Sequence, residues 1–459
     1  MSNYKTPGVY VEEINVFPPS VAQVETAVPV FIGYTEKGPQ KPKKIKSLVD
    51  YEVLYGGPSK ELPKFVIDGS GNVSGNIPSQ PQYKLYYALQ LYFANGGGPC
   101  YIASAANYQD PVNIDETLLS KALGEVKKED EPTIILFPDA PGKTDLYKTA
   151  LKQCANLGDR FVICDLEPIN DPTDPAGQSA VPFRNNIGTS NLMYGAAYYP
   201  NLKTSLIHTT PENTIEVDNN GTDMILRHTE AEIIDNPALE NQSLFHVNNG
   251  DSRSKYYDIK KRIAYATLEM PPSAAIAGVY ANTDGTRGVW KAPANVSLNR
   301  VKEPTVFLED SDQDGLNISD TGKSINAIRF FTGKGTLVWG ARTLDGNSNE
   351  WKYISVRRFF NMVEESVKKS TERFVFEPND ANTWVKVKAM IENFLTLQWR
   401  AGALMGSKPE QAFFVKVGLG QTMTPDDVFN GRMIVEIGMA VVRPAEFIIL
   451  RFSHKMLES

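Results

Sequence analysis

The chain has 459 residues, a formal net charge of −7, 41% apolar and 22% charged residues, a composition that fits a globular protein of about two to four domains. The negative balance argues against a nucleic-acid polyanion as main partner, because phosphate binding draws on clustered Lys and Arg. Three cysteines, Cys100, Cys154 and Cys164, are too few and too scattered for a disulfide framework or a four-cysteine zinc site, and read as buried small apolar residues.

The opening MSNYKTPGVYVEEIN lacks a basic segment followed by an apolar stretch, and no run of about eighteen apolar residues occurs, so neither a signal peptide nor a membrane span is expected. The expected site of synthesis and assembly is the cytoplasm. A strand is predicted over Val9 to Ile14, with Val9, Val11 and Glu13 on one face and Tyr10, Glu12 and Ile14 on the other. Nothing near it in sequence can pair with it, since FPPS and a separate apolar run, AVPVFIGYTEKGP, come next. The basic run KPKKIK (41–46) reads as a solvated loop, and residues 59–82, rich in Gly, Ser, Pro and Asn, as another. A helix follows with Leu85, Ala88, Leu89 and Tyr92 at i, i+3, i+4 and i+7, ends at the glycines 96–98 and hands over to a strand at 100–105.

A βαβ unit is predicted from TIILFPDA (133–140), a helix over 145–158 and RFVICDL (160–166); NLMYGAAYYPNL (191–202) extends it. The polar, Thr- and Asn-rich stretch 203–262 reads as short strands and turns without a core helix, and the α/β pattern resumes at 271–295 and 333–344. The last part is an α+β block. One helix carries Val356, Phe359, Phe360, Val363 and Val367 inward, with Glu364–Lys368 and Glu365–Lys369 pairs outward. A second is expected over Asn382 to Ala403 with Trp384, Val387, Ile391, Phe394 and Leu395 inward, and strands over 412–417, 433–442 and 445–452. The expected organisation is an arm (1–20), the first part of the core (21–110), an α/β domain in two pieces (111–202 and 263–344), a β-rich insertion (203–262), an α+β domain (345–443) and a closing arm (444–459).

Catalytic and ligand motifs fail on spacing. The GKT (142–144) and GKS (322–324) triplets have Phe137 and Asn317 where a phosphate loop needs its first glycine. DSDQDG sets Asp310, Asp312 and Asp314 at calcium-loop spacing, yet position 12 is Thr321 instead of a bidentate acid. The alternative function class is an α/β serine hydrolase, with Ser190 as nucleophile and Asp139 and Asp165 at strand ends. It is disfavoured because His208, His228, His246 and His454 all follow Ser190 without the local sequence of an activated base. Asp139 and Asp165 read more simply as loop and helix caps. No catalytic residue, cofactor or metal is therefore assigned, and no enzyme activity is expected.

Several segments together, among them TPGVYVEEI, VPVFIGYTEKGP, FANGGGPCYI, PPSAAIAGVYANTDGTRGVWKAPAN, GTLVWGARTL, WKYISVRRFF, FEPNDANTW and VVRPAEFIILRFS, make the chain resemble the contractile tail sheath family of phage tails and phage-tail-like injection particles. The resemblance covers nearly the whole chain except 203–262. It implies a subtilisin-like central α/β domain without a triad, an inserted β-rich outer domain, an α+β C-terminal domain and strand-like arms at both ends.

It further implies that both arms leave their own subunit and add as strands to a sheet in neighbouring copies. The donated strands would be Val9, Tyr10, Val11, Glu12, Glu13 and Ile14, and Glu446, Phe447, Ile448, Ile449, Leu450, Arg451 and Phe452. Phe413, Phe414, Val415, Ile434, Val435 and Ile437 would form the accepting sheet, and Pro7, Gly8, Arg443 and Pro444 the hinges. The partners so implied are further copies in hexameric rings stacked into a helical sheath, an inner tube protein, and baseplate and terminal cap proteins. Nucleic acid and direct membrane insertion are not expected. Assembly would occur in the bacterial cytoplasm, into a virion tail or a phage-tail-like particle.

Overall fold

The computed structural model describes residues 21–60, 62, 64–109, 112–167, 177–247 and 250–451. The expected strand Val9 to Ile14, the hinge residues Pro7 and Gly8, and Phe452 and His454 lie outside them. The described residues form two compact units, 25–362 with 443–451, and 21–24 with 363–442.

The larger unit is built on a mixed sheet of nine strands among the described residues, ordered Val296–Ser297, Gly335–Val338, Ile325–Phe331, Gly195–Tyr199, Phe161–Asp165, Ile134–Leu136, Pro29–Thr35, Cys100–Asn107 and Lys43–Ile45. From Ile325–Phe331 to Cys100–Asn107 neighbouring strands run parallel, and the outer pairings are antiparallel. The central strands are predominantly apolar because both faces are covered. Val30, Ile32 and Tyr34 enter one core, packed with Leu119, Leu123 and Leu151 from helices Glu116–Val126 and Thr144–Leu157. Phe31, Leu136 and Ile163 enter the other, packed with Leu89 and Ile276 from helices Leu85–Ala94 and Ser273–Arg287. The predicted βαβ unit is present, with Ile134 opposite Phe161 in parallel register.

Three expectations change in this unit. The KPKKIK run is an edge strand, not a loop. Lys43 and Lys44 are exposed, Ile45 is buried, and Lys44 reaches Glu131 at 2.5 Å, so the lysines occupy an edge that would otherwise attract foreign strands. The 59–82 loop contains strands Phe65–Ile67 and Val73–Ser74, which join Glu216–Asn219 and Thr222–Ile225 in a separate sheet. The 203–262 stretch also carries helix Gly250–Tyr265, whose Tyr256, Ile259 and Ile263 fill a small core with Phe65, Val217 and Leu244. Polar residues hide this helix from a periodicity search, since its apolar stripe is only those few positions wide.

In the smaller unit, helix Ala381–Arg400 starts at Asp380, whose side chain accepts from the Thr383 N–H at 2.9 Å. Val387, Ile391, Phe394 and Leu395 are buried as expected, whereas Trp384 is half-buried and donates to Asn379 at 2.7 Å. On helix Ile354–Thr371, Glu365 takes both Lys368 (3.1 Å) and Lys369 (3.4 Å).

The expected strand 433–442 shortens to Glu436–Met439. Ile434 and Val435 fall outside it. The chain beyond Met439 pairs elsewhere: Met405 N–H donates to Ala440 O (2.7 Å) and Val442 N–H to Ala403 O (3.1 Å), which divides the apolar run between two partners. The expected strand 445–452 forms no ladder across its described residues 445–451.

Candidate functional site

In a parallel α/β sheet the default ligand crevice lies at the carboxyl ends of the strands, where neighbouring connections diverge. Here that place holds Asp139, buried and surrounded by backbone donors: Tyr34 N–H at 2.7 Å, Lys84 N–H at 2.5 Å and Leu85 N–H at 3.1 Å. A Cβ on Gly33 would stand 2.3 Å from its Oδ2, so the space is filled by the chain itself. Burial raises the Asp139 carboxyl above its ordinary range against those donors. Asp165 accepts from Ser273 N–H (2.9 Å) and Ser273 Oγ–H (2.5 Å) at the start of helix Ser273–Arg287. Both carboxylates thus satisfy helix N-termini, which is a structural role.

Burial pushes the Asp165 carboxyl from 3.8 up to about 7. The folded chain then holds a proton that the unfolded chain has lost, so this group's stabilising contribution is present at low pH and disappears as pH rises from about 4 through about 7. Urea unfolding at pH 5 and pH 7.5 is expected to show a larger loss of stability in the wild type than in Asp165→Asn, which stays neutral. Equal losses would contradict it.

The hydrolase constellation is not brought together. Ser190 is exposed, and the described histidines face other groups: His208 Nε2 meets Pro78 O at 2.9 Å, His246 Nδ1 meets Ser243 Oγ at 2.9 Å, and His228 lies 3.6 Å from Glu232. Among the described residues no cluster of ligand side chains suits a metal, and no helix is long and apolar enough to cross a membrane. The aspartates of DSDQDG instead open helix Asp310–Asn317, with Asp312 capping the Glu309 N–H at 2.8 Å.

What the geometry offers is an unfinished sheet. Phe413–Lys416 and Glu436–Met439 form an antiparallel ladder with Phe413 opposite Met439 and Val415 opposite Ile437. Phe414, 43% exposed, lies over Gly438, where a Cβ would come within 2.2 Å of its ring; only glycine fits beneath it. Val415 is buried and the first strand lies against helix Ala381–Arg400. Among the described residues each strand has the other as its sole ladder partner, which leaves both outer edges without a further strand.

The segment that follows Arg443 and Pro444 has no ladder partner among the described residues. Phe447, Ile448, Ile449 and Leu450 are 67 to 80% exposed. Arg443 and Pro444 precede them, and Glu446 is held by Arg342 at 2.6 Å. Near the other end, residues 21–24 are tied down: Val21 is buried, Val24 N–H donates to Ser366 Oγ at 3.0 Å, and Gln398 donates to Gln23 at 3.1 Å. Neither Gly438 nor the Arg342–Glu446 pair is signalled by any local sequence pattern.

A model of the phage tail sheath C-terminal domain matches residues 347–455. The chain is similar to one in the contracted PVC sheath complex of an extracellular contractile injection system, at 31% identity and a TM-score of 0.67 over 99% of both chains. It is also similar to a chain of the contracted helical sheath of the anti-feeding prophage, at 33% identity and a TM-score of 0.66 over 98% of this chain and 100% of the other. The tail sheath protein of Vibrio phage KVP40 is 24% identical over 224 residues, 48% of this chain and 31% of the relative. That of Enterobacteria phage T4 is 29% identical over 133 residues, 28% of this chain and 18% of the relative. The chain spans less than a third of the length of these two curated relatives.

Proposed function

The chain belongs to the sheath-protein family of contractile injection systems and phage tails, and we propose that it is the structural subunit of a polymer that surrounds an inner tube and shortens to drive the tube into a target envelope. The observation that carries this reading is the exposed apolar run Phe447 to Leu450, which has no ladder partner among the described residues, while the ladder Phe413–Lys416/Glu436–Met439 has no third strand among them. Added strands donated by other copies, Phe447 to Phe452 with Glu446 at its root and Val9 to Ile14, complete that ladder. Donor and acceptor are different surfaces, so the contact is heterologous and propagates into rings and helices instead of closing as a dimer.

Subunits linked this way rotate and slide without detaching, provided residues near the arms absorb the change in backbone angles. The extended lattice is the less stable packing and contraction gains contact between copies, with no nucleotide consumed. The parallel strands and the filled crevice at Asp139 favour a subtilisin-like α/β domain serving as scaffold, without catalysis. The small sheet that joins Phe65–Ile67 to Glu216–Asn219 serves as the outward insertion, and the inner tube, baseplate and terminal cap proteins are the other partners.

Sedimentation and negative-stain microscopy of the purified chain test the reading. Rings, tubules or long polymers that grow with concentration are expected. A monodisperse monomer at every concentration would contradict it.

A further inference from the structure

The closing arm does not hang free from Arg443 and Pro444. Val442 is bonded to Ala403 O in one unit and Glu446 is bonded in the other, so each side of Arg443 to Ala445 ends at a bonded residue. The Glu446 carboxylate accepts two bonds from the Arg342 guanidinium, Nε to Oε1 at 2.9 Å and Nη2 to Oε2 at 2.6 Å, and a third from Tyr353 O–H at 3.3 Å. The side chains of Arg342 and Glu446 are only 7% and 17% exposed. A bidentate, shielded pair of this kind fixes orientation as well as position.

Arg342 itself cannot drift. Its N–H donates to Asn326 Oδ1 (2.7 Å), its C=O accepts from Asn326 Nδ2 (2.8 Å), and the same amide reaches Ala197 O (3.1 Å) in the central sheet. Immediately after Glu446 burial ends, with Phe447 at 67% and Ile448 at 80% exposure.

We propose that Arg342 and Tyr353 hold Glu446 as the fixed root of the closing arm, so that the segment given to a second copy begins at Phe447. The proposal rests on the strand-exchange reading above and adds the residues that set the exchange register. Phe447 and Ile449 face one side of an extended segment, Ile448 and Leu450 the other, and a slip of one residue exchanges the two faces. A pinned root sets how far the arm reaches, and a shorter free segment loses less conformational freedom on docking. A link pinned at its root also passes displacement from the neighbouring copy into the sheet that carries Asn326.

The test compares full-length wild type with Glu446→Ala, Glu446→Gln and Arg342→Ala, and with a chain ending at Glu446. Circular dichroism reports folding, sedimentation the concentration needed for assembly, and electron microscopy the helical order of tubules. The chain ending at Glu446 is expected to form no tubules. Glu446→Ala and Arg342→Ala are expected to fold, to require about tenfold more protein, as loss of charged hydrogen bonds predicts, and to give tubules of broken order. Glu446→Gln, which keeps one acceptor oxygen, is expected to require about threefold more, and it decides the matter if Glu446→Ala does not fold. Wild-type assembly by the decisive Glu446 variant, with the truncated chain inert, overturns the fixed root and leaves strand exchange standing. Wild-type assembly by the truncated chain overturns strand exchange itself.

Discussion

Deleting the first sixteen residues is expected to leave a folded subunit that forms no tubules at concentrations where the full chain assembles. On the strand-exchange reading, Val9 to Ile14 contribute roughly five ladder hydrogen bonds to another copy, each worth a net ~0.5–1.5 kcal/mol. Burial of Val9, Val11 and Ile14 adds about 1.5–3 kcal/mol apiece. Even after the ordering of a free arm is subtracted, several kcal/mol remain, and each 1.4 kcal/mol is about tenfold in affinity. Assembly should therefore weaken by about a thousandfold or more. The deletion ends before Val21, whose burial and the neighbouring bonds of Gln23 and Val24 secure the first described residues, so folding is expected to survive. Circular dichroism with sedimentation separates the two effects, and loss of the folded signal would contradict the expectation as surely as intact tubules.

The second large effect is on stability. Arg358→Ala is expected to destabilise the larger unit by about 3–5 kcal/mol, because it leaves a buried carboxylate without its cation. Arg358 Nη2 and Nη1 lie 2.5 and 3.1 Å from the two oxygens of Asp284, and the side chains are only 3% and 6% exposed. Thr26 closes the group, its hydroxyl donating to Asp284 at 2.6 Å and its carbonyl accepting from Arg358 at 3.0 Å, while the guanidinium lies 4.5 Å from the Tyr280 ring centre. Replacing both partners, Arg358→Met with Asp284→Leu, should cost less than the single change, since no charge is then left alone. Urea denaturation followed by tryptophan fluorescence measures both. A single-variant loss below about 1 kcal/mol would contradict this account of the group.

The central sheet is readable because Ile134–Leu136, residues 161–164 and Gly195–Tyr199 are covered on both faces and so form nearly continuous apolar runs. Helix Leu85–Ala94 announced itself by spacing. Strands Phe65–Ile67 and Val73–Ser74 did not, because they are two or three residues long and the partner of Phe65–Ile67, Glu216–Asn219, lies far along the chain. Lys43–Ile45 looked like a loop for the same charge that makes it a safe edge. Helix Glu116–Val126 is legible in principle, since Leu119, Ala122, Leu123 and Val126 recur at helical spacing.

At the candidate site, Phe413, Phe414, Val415 and Ile437 fall on the ladder, whereas Ile434 and Val435 do not, because an apolar run carries no mark of where one partner gives way to the next. Glu446 reads as one more strand residue until folding brings Arg342 to it from 104 positions away.

The most direct measurement is a reconstruction of assembled tubules at a resolution that follows the main chain between copies. Strand exchange predicts that Val9 to Ile14 and Phe447 to Phe452 of one copy lie as strands beside Phe413–Lys416 and Glu436–Met439 of others. Tracing both segments back onto their own subunit's sheet would contradict it.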